Sequence, residues 1–133
     1  MAENPRILLV DDEPAIVKVV SKRLEAEGFA VLTAMDGQEA LATAHREPLD
    51  LLILDLMLPK LSGFEVCAML KQDDRYRTMP IILLTARTQE KDEKLGYHCG
   101  ADAYIRKPFE AAELVGTIRR LLAAPGVPSK EVA

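Results

Sequence analysis

The chain has 133 residues, 49% apolar and 29% charged, which fits one globular domain with room for a full core and excludes a disordered chain. A formal net charge of -4 and a pI near 5.2 argue against direct binding of nucleic acid, because phosphate recognition needs a concentrated basic surface. No apolar segment approaches the roughly 18 to 20 residues of a membrane span, and Met1-Ala2-Glu3-Asn4-Pro5 lacks the basic-then-apolar form of a signal peptide, so the protein is expected to be cytoplasmic and without a membrane partner.

In chain order, Arg6-Ile7-Leu8-Leu9-Val10 is a first apolar run that ends in the acidic cluster Asp11-Asp12-Glu13. Pro14 suits a first helical turn, Ile16, Val17, Val20 and Leu24 recur at helical spacing, and Gly28 is placed to end that helix in a left-handed conformation. The unit then repeats. Phe29 to Ala34 reads as a second strand, and Asp36 with Glu39 resembles a capping box opening a helix through Arg46, with Ala40, Leu41 and Ala44 on its apolar face.

The third strand is the unbroken apolar run that starts at Leu51, bounded by Pro48 and Pro59, and it reads as buried on both faces. Asp55 stands at its carboxyl end. Such a strand cannot hold an ionised carboxylate inside without a large desolvation cost, so Asp55 is expected at the rim of the sheet, near partners or a metal. A loop through Pro59 and Ser62-Gly63 leads to a helix from about Phe64 to Lys71, with Val66, Met69 and Leu70 inward.

Pro80 precedes Ile81-Ile82-Leu83-Leu84, another doubly buried strand, which ends in Thr85. After a polar stretch from Arg87 to Glu93, a fourth helix is expected around Lys91 to Cys99, closed by Gly100. The fifth strand, near Ala103 to Arg106, is more mixed and is expected at an edge; it ends in Lys107-Pro108. Leu114, Val115, Ile118, Leu121 and Leu122 mark a last amphipathic helix. Residues 1–124 form the expected domain, and 125–133, with Pro125-Gly126-Val127-Pro128-Ser129, read as a flexible tail or the start of a linker. Cys67 and Cys99 each lack a second thiol or a histidine nearby in sequence, and are read as small buried or half-buried hydrophobes.

Strands alternating with five helices predict an α/β fold: a five-stranded parallel sheet, order 2-1-3-4-5, with helices on both faces. In such sheets a ligand sits outside the carboxyl ends of the strands where the order reverses. That rim gathers Asp11, Asp12, Asp55, Thr85 and Lys107. Three adjacent carboxylates repel one another unless a cation neutralises them, and all-oxygen donors suit Mg²⁺. Mg²⁺ and Lys107 would neutralise phosphoryl oxygens, the Thr85 hydroxyl would donate to a third, and Asp55 would be the nucleophile that forms an aspartyl phosphate.

From about Pro5 to Ala124 the chain resembles the receiver domain of bacterial two-component response regulators of the chemotaxis-regulator type, whose fold is flavodoxin-like. The resemblance rests on Asp11-Asp12 after the first strand, Asp55 after the third, Thr85 after the fourth and Lys107-Pro108 after the fifth. It implies that Asp55 accepts a phosphoryl group from a histidine kinase or histidine phosphotransfer protein, that Asp12 binds Mg²⁺ directly and Asp11 mainly through water, and that Met57 lends its backbone carbonyl to the metal. It further implies a cis bond before Pro108, and a switch in which Thr85 moves toward the phosphoryl group and Tyr104 turns inward. The signal would leave on the face of the fourth helix, fifth strand and fifth helix. Met57 and Arg87, two residues beyond the aspartate and the threonine, would tune the lifetime of the phosphorylated state.

The kinase would dock on the face of the first helix that carries Ile16, Val17 and Val20. The output would be a downstream effector protein or a further output domain, and the helix four to helix five face is compatible with a transient homodimer. Three rivals fit less well. An aspartate-nucleophile phosphatase needs a second acid where Met57 stands, and nucleotide binding needs a Gly-rich loop where Asp11-Asp12-Glu13-Pro14 would repel an anion. A receiver-like module that binds partners without phosphorylation is the alternative, and retention of phosphate from a small-molecule donor separates it from the main reading.

Overall fold

The computed structural model describes residues 4–86 and 99–123. Five parallel strands, β1 (Arg6–Val10), β2 (Ala30–Ala34), β3 (Leu51–Asp55), β4 (Ile81–Ala86) and β5 (Ala103–Lys107), lie in the order β2-β1-β3-β4-β5. The expected topology is found, with the mixed strand β5 at an edge. The described helices are α1 (Pro14–Ala26), α2 (Gly37–Arg46), α3 (Gly63–Lys71) and a C-terminal helix (Ala111–Ala123). The helix expected around Lys91 to Cys99 lies, apart from Cys99, outside the described residues.

Alternation along the strands divides the core in two. Ile7, Leu9, Leu51, Ile53, Ile82 and Leu84 face α1 and the C-terminal helix, meeting Val20, Leu24, Leu114 and Ile118. Leu8, Val10, Leu52, Leu54, Ile81 and Leu83 face α2 and α3, meeting Ala40, Ala44, Val66 and Leu70. Because β1, β3 and β4 carry apolar side chains on both faces, they take the interior of the sheet. Among the described residues no helix is long and apolar enough to cross a membrane.

Local signals account for the helix starts. Ser62 and Glu65 form a reciprocal capping box at α3. At α2 the Asp36 side chain accepts from the Glu39 amide at 2.8 Å, but the Glu39 carboxylate accepts from Met35, one residue earlier than in a strict box. Gly28 has φ of 99°, the left-handed conformation expected of it, and Gly100 has φ of 96°.

Two expectations are corrected. Val20, expected on the face of α1 that would receive the kinase, is 9% exposed and packs into the core. On α3 the inward residues are Gly63, Val66, Cys67 and Leu70, whereas Met69 is 51% exposed, because it falls outside the arc those four define. The reading of the cysteines as buried or half-buried hydrophobes holds, since Cys67 is buried and Cys99 half-buried, both free thiols; the two, 32 positions apart, are also neighbours, for the Cys67 thiol donates to the Cys99 carbonyl and contacts the Cys99 side chain. The turn before β5 lays Cys99 and Gly100 along α3, with Gly100 packed on Lys71. Spacing in sequence carries no sign of that contact.

Candidate functional site

β1 and β3 are neighbours where the strand order reverses, and the helices that follow them pack on opposite faces. The carboxyl ends of the two strands therefore border a crevice that neither of these two helices covers. Asp11, one residue beyond β1, has no solvent exposure; its amide donates to the Ala34 carbonyl at 3.2 Å and its carboxylate accepts from the Glu13 amide at 3.0 Å. Asp55, the last residue of β3, is 6% exposed, while Asp12 is exposed. One carboxylate oxygen from each of Asp11, Asp12 and Asp55 lies within 4.8 Å of the others.

Lys107, the last residue of β5, reaches across from two strands away. Its Nζ stands 3.0 Å from Asp11 Oδ2, 3.5 Å from Asp55 Oδ1 and 3.7 Å from Glu13 Oε1. The Lys107–Pro108 peptide bond is cis. Burial works against the ammonium charge, but the hydrogen bond to Asp11 and the charges of Asp55, Asp11 and Glu13 outweigh it and hold Lys107 above its ordinary pKa.

Asp55 is pushed up to about 6, first by burial and then by the charge of Asp11; Lys107 and a hydrogen bond from the Met57 amide oppose the rise without cancelling it. Among the described residues, Lys107 is the cation set against the carboxylates of Asp11, Asp12, Asp55 and Glu13. Three clustered carboxylates, one wholly buried, are a hard oxygen donor set of the kind that binds a divalent cation.

Thr85, 2% exposed, lies one step beyond Leu84, the ladder partner of Asp55, at the same rim. Tyr104 is half-buried on β5 opposite Leu83 and packs on the α2–α3 side of the sheet. The Met57 side chain is 73% exposed, so it is the backbone of this residue that meets Asp55. Arg87 lies outside the described residues.

Two neighbours were not singled out by the sequence. Glu13 belongs to the acidic cluster but carried no role, and only the reach of Lys107 brings it in. Gly63, read as a loop residue, opens α3 against the end of β3: its amide donates to the Leu56 carbonyl at 2.9 Å, and a Cβ there would stand 2.5 Å from the Asp55 carbonyl oxygen. Only backbone proximity across the loop reveals it, and a glycine beside a serine is too common a pair to signal that.

Comparison with known proteins agrees with this architecture. Residues 7–119 match the family model described as the response regulator receiver domain. The chain is 46% identical over 118 residues to the DNA-binding dual master transcriptional regulator RpaA of Synechocystis sp., covering 89% of this chain and 49% of the relative. It spans about half the length of the curated relatives it matches first.

Among solved structures, the chemotaxis response regulator CheY4 of Vibrio cholerae superposes with a TM-score of 0.84 at 35% identity, covering 89% of this chain and 98% of the other. The receiver domain of a sensor histidine kinase from Pseudomonas aeruginosa, solved with a magnesium ion coordinated in its active-site cleft, gives a TM-score of 0.85 at 31% identity over 91% of this chain and 99% of the other. With the family model spanning nearly the whole sheet and its helices, the chain belongs to the response regulator receiver domain family.

Proposed function

We propose that this chain accepts a phosphoryl group on Asp55 from a histidine kinase or histidine phosphotransfer protein and relays the event to a downstream partner. The observation that carries the reading is the placement of Lys107 Nζ between Asp11 and Asp55 beside a cluster of three carboxylates. A carboxylate raised to about 6 is still an anion at neutral pH, and is a stronger nucleophile than an ordinary aspartate. An Asp55 oxygen attacks phosphorus as the bond from phosphorus to the donor histidine nitrogen breaks, and the imidazole leaves with the electron pair. Lys107 balances charge on the phosphoryl oxygens, and the Thr85 hydroxyl donates to one of them.

Asp11, Asp12, Asp55 and the Met57 backbone carbonyl would hold Mg²⁺, which supplies positive charge among the carboxylates; the magnesium in the cleft of the Pseudomonas relative supports this assignment. The new group brings a charge of roughly -1.5 to -2 and three strong acceptors. In this reading Thr85 moves toward them, Tyr104 fills the vacated space, and the face formed by β5, the C-terminal helix and the segment before β5 changes partner affinity. Met57 and Arg87 limit the access of water and so set the phosphoryl lifetime. The similarity to a DNA-binding regulator twice as long supports an output through a further domain or a separate effector, in the cytoplasm.

Intact-protein mass after incubation with acetyl phosphate and Mg²⁺ tests the proposal. The expected result is a gain of one phosphoryl group that requires Mg²⁺ and is absent in Asp55→Ala. No gain in a folded protein that binds Mg²⁺ would transfer the reading to a phosphorylation-independent binding module.

A further inference from the structure

The loop between β3 and α3, residues 56–62, carries the Met57 amide that donates to Asp55, and its seat is the first turn of α2. Gly37, the first residue of α2, is buried, and its amide donates to the Pro59 carbonyl at 3.4 Å. A Cβ at this position would lie 2.6 Å from the Leu61 Cβ and 3.0 Å from its carbonyl carbon, and would collide with the Leu61 carbonyl oxygen. The obstacle is mostly backbone, so no side-chain rotation relieves it. Between those contacts Lys60 has φ of 73°, an uncommon conformation for a residue with a Cβ, while its Nζ stands 3.5 Å from Asp36 Oδ2. The Leu61 amide closes the bend on the Pro59 carbonyl at 2.8 Å.

We infer that Gly37 is a positioning residue for phosphoryl transfer: the space left by its missing side chain lets the loop settle on α2, and that seat fixes where the Met57 backbone meets Asp55. The inference rests on the reading of Asp55 as the phosphoacceptor. It makes a prediction opposite to that of helix propensity alone, since Gly→Ala inside a helix ordinarily stabilises it. In Gly37→Ala the loop must lift from α2, carrying the Met57 amide and carbonyl away from the carboxylates.

The test measures Mg²⁺ affinity and the rate of phosphorylation by acetyl phosphate, each per folded molecule, in the native chain and four variants. Gly116→Ala, where nothing lies within 4 Å of the added methyl, controls for the glycine change itself. Ala40→Gly weakens α2 from inside the core without adding an atom toward the loop. Leu61→Gly unseats the loop from its own side and leaves Gly37 in place.

Gly37→Ala is expected to be folded, to bind Mg²⁺ at least threefold more weakly and to react at least tenfold more slowly. Leu61→Gly should also be slow, whereas Ala40→Gly melts earlier yet reacts at the native rate and Gly116→Ala is unchanged. A native rate in Gly37→Ala, or an equal slowing in Ala40→Gly, overturns the inference. Should Gly37→Ala not fold, a native rate in Leu61→Gly overturns it and slow transfer there supports it. An inert native chain would instead remove the phosphoacceptor reading, and this inference with it.

Discussion

Two half-buried lysines hold aspartates in this molecule, and their surroundings set them apart. Lys71 Nζ stands 2.9 Å from Asp102 Oδ2 and also donates to the carbonyls of Met79 at 2.6 Å and Arg77 at 3.1 Å; Asp102 in turn accepts from the Ile81 amide at 2.9 Å. Among the described residues one ammonium meets one carboxylate here, and backbone groups add further hydrogen bonds to both. Lys107 instead faces Asp11, Asp55 and Glu13 together, with Asp12 close by. The first arrangement is a staple that joins the end of α3 to the start of β5. Among the described residues the second sets one ammonium against several carboxylates, and Asp55 is raised there first by burial and then by the charge of Asp11. A matched pair held by backbone groups is a structural arrangement, whereas carboxylates crowded around one lysine are where perturbed pKa values gather.

Breaking the staple should have the largest effect on stability. Lys71→Ala removes the ammonium that stands 2.9 Å from the Asp102 carboxylate, itself 12% exposed, and truncating one partner of such a pair costs about 3–5 kcal/mol. Urea denaturation measures it, and a loss below about 1 kcal/mol would dissolve the contrast between the two lysines.

The opposite sign is expected at the rim. The folded chain holds the Asp55 proton up to about pH 6, whereas an unfolded aspartate releases it near 3.9. Folding therefore favours the protonated form, and the contribution of Asp55 to stability falls as pH rises from about 4 to 6. Asp55→Asn should thus stabilise the metal-free protein at pH 8 by on the order of 2–3 kcal/mol, and the gain should vanish by about pH 4. Adding Mg²⁺ to the native chain should narrow the gap, since a ligand of the folded state stabilises it. A destabilised Asp55→Asn at pH 8 would show that the rim is already balanced.

The smallest effect belongs to Glu13→Gln. Its side chain is 61% exposed and 3.7 Å from Lys107, so the melting temperature should correspond to a change within about 0.5 kcal/mol. A larger loss would make Glu13 a structural member of the cluster, like Asp11.

The strands were legible because β1, β3 and β4 are continuous apolar runs, and the acids at their ends had nowhere to go but the rim. The last amphipathic helix and the Asp36 cap of α2 were equally open to local reading, whereas the α3 capping box lies in a stretch read as loop. Gly37 and Gly63 were not, because a glycine that admits a backbone from another part of the chain looks the same as one that ends a helix. The contact of Cys67 with Cys99, and of Lys71 with Asp102, was hidden for the same reason: each joins residues about thirty positions apart through a packing choice that neither end encodes alone.

By itself the sequence determined the fold class and the list of polar residues at the carboxyl ends of the strands. Hydrophobic periodicity and strand length are local properties, and burial forces the polar ends outward. Only the tertiary structure decided the charge balance among those residues. It set Lys107 3.0 Å from Asp11, left Asp55 raised to about 6, and seated the loop of Met57 against Gly37. Electrostatic energy depends on distance and burial between groups that meet only when the sheet is assembled, and neither quantity is written in the order of the residues.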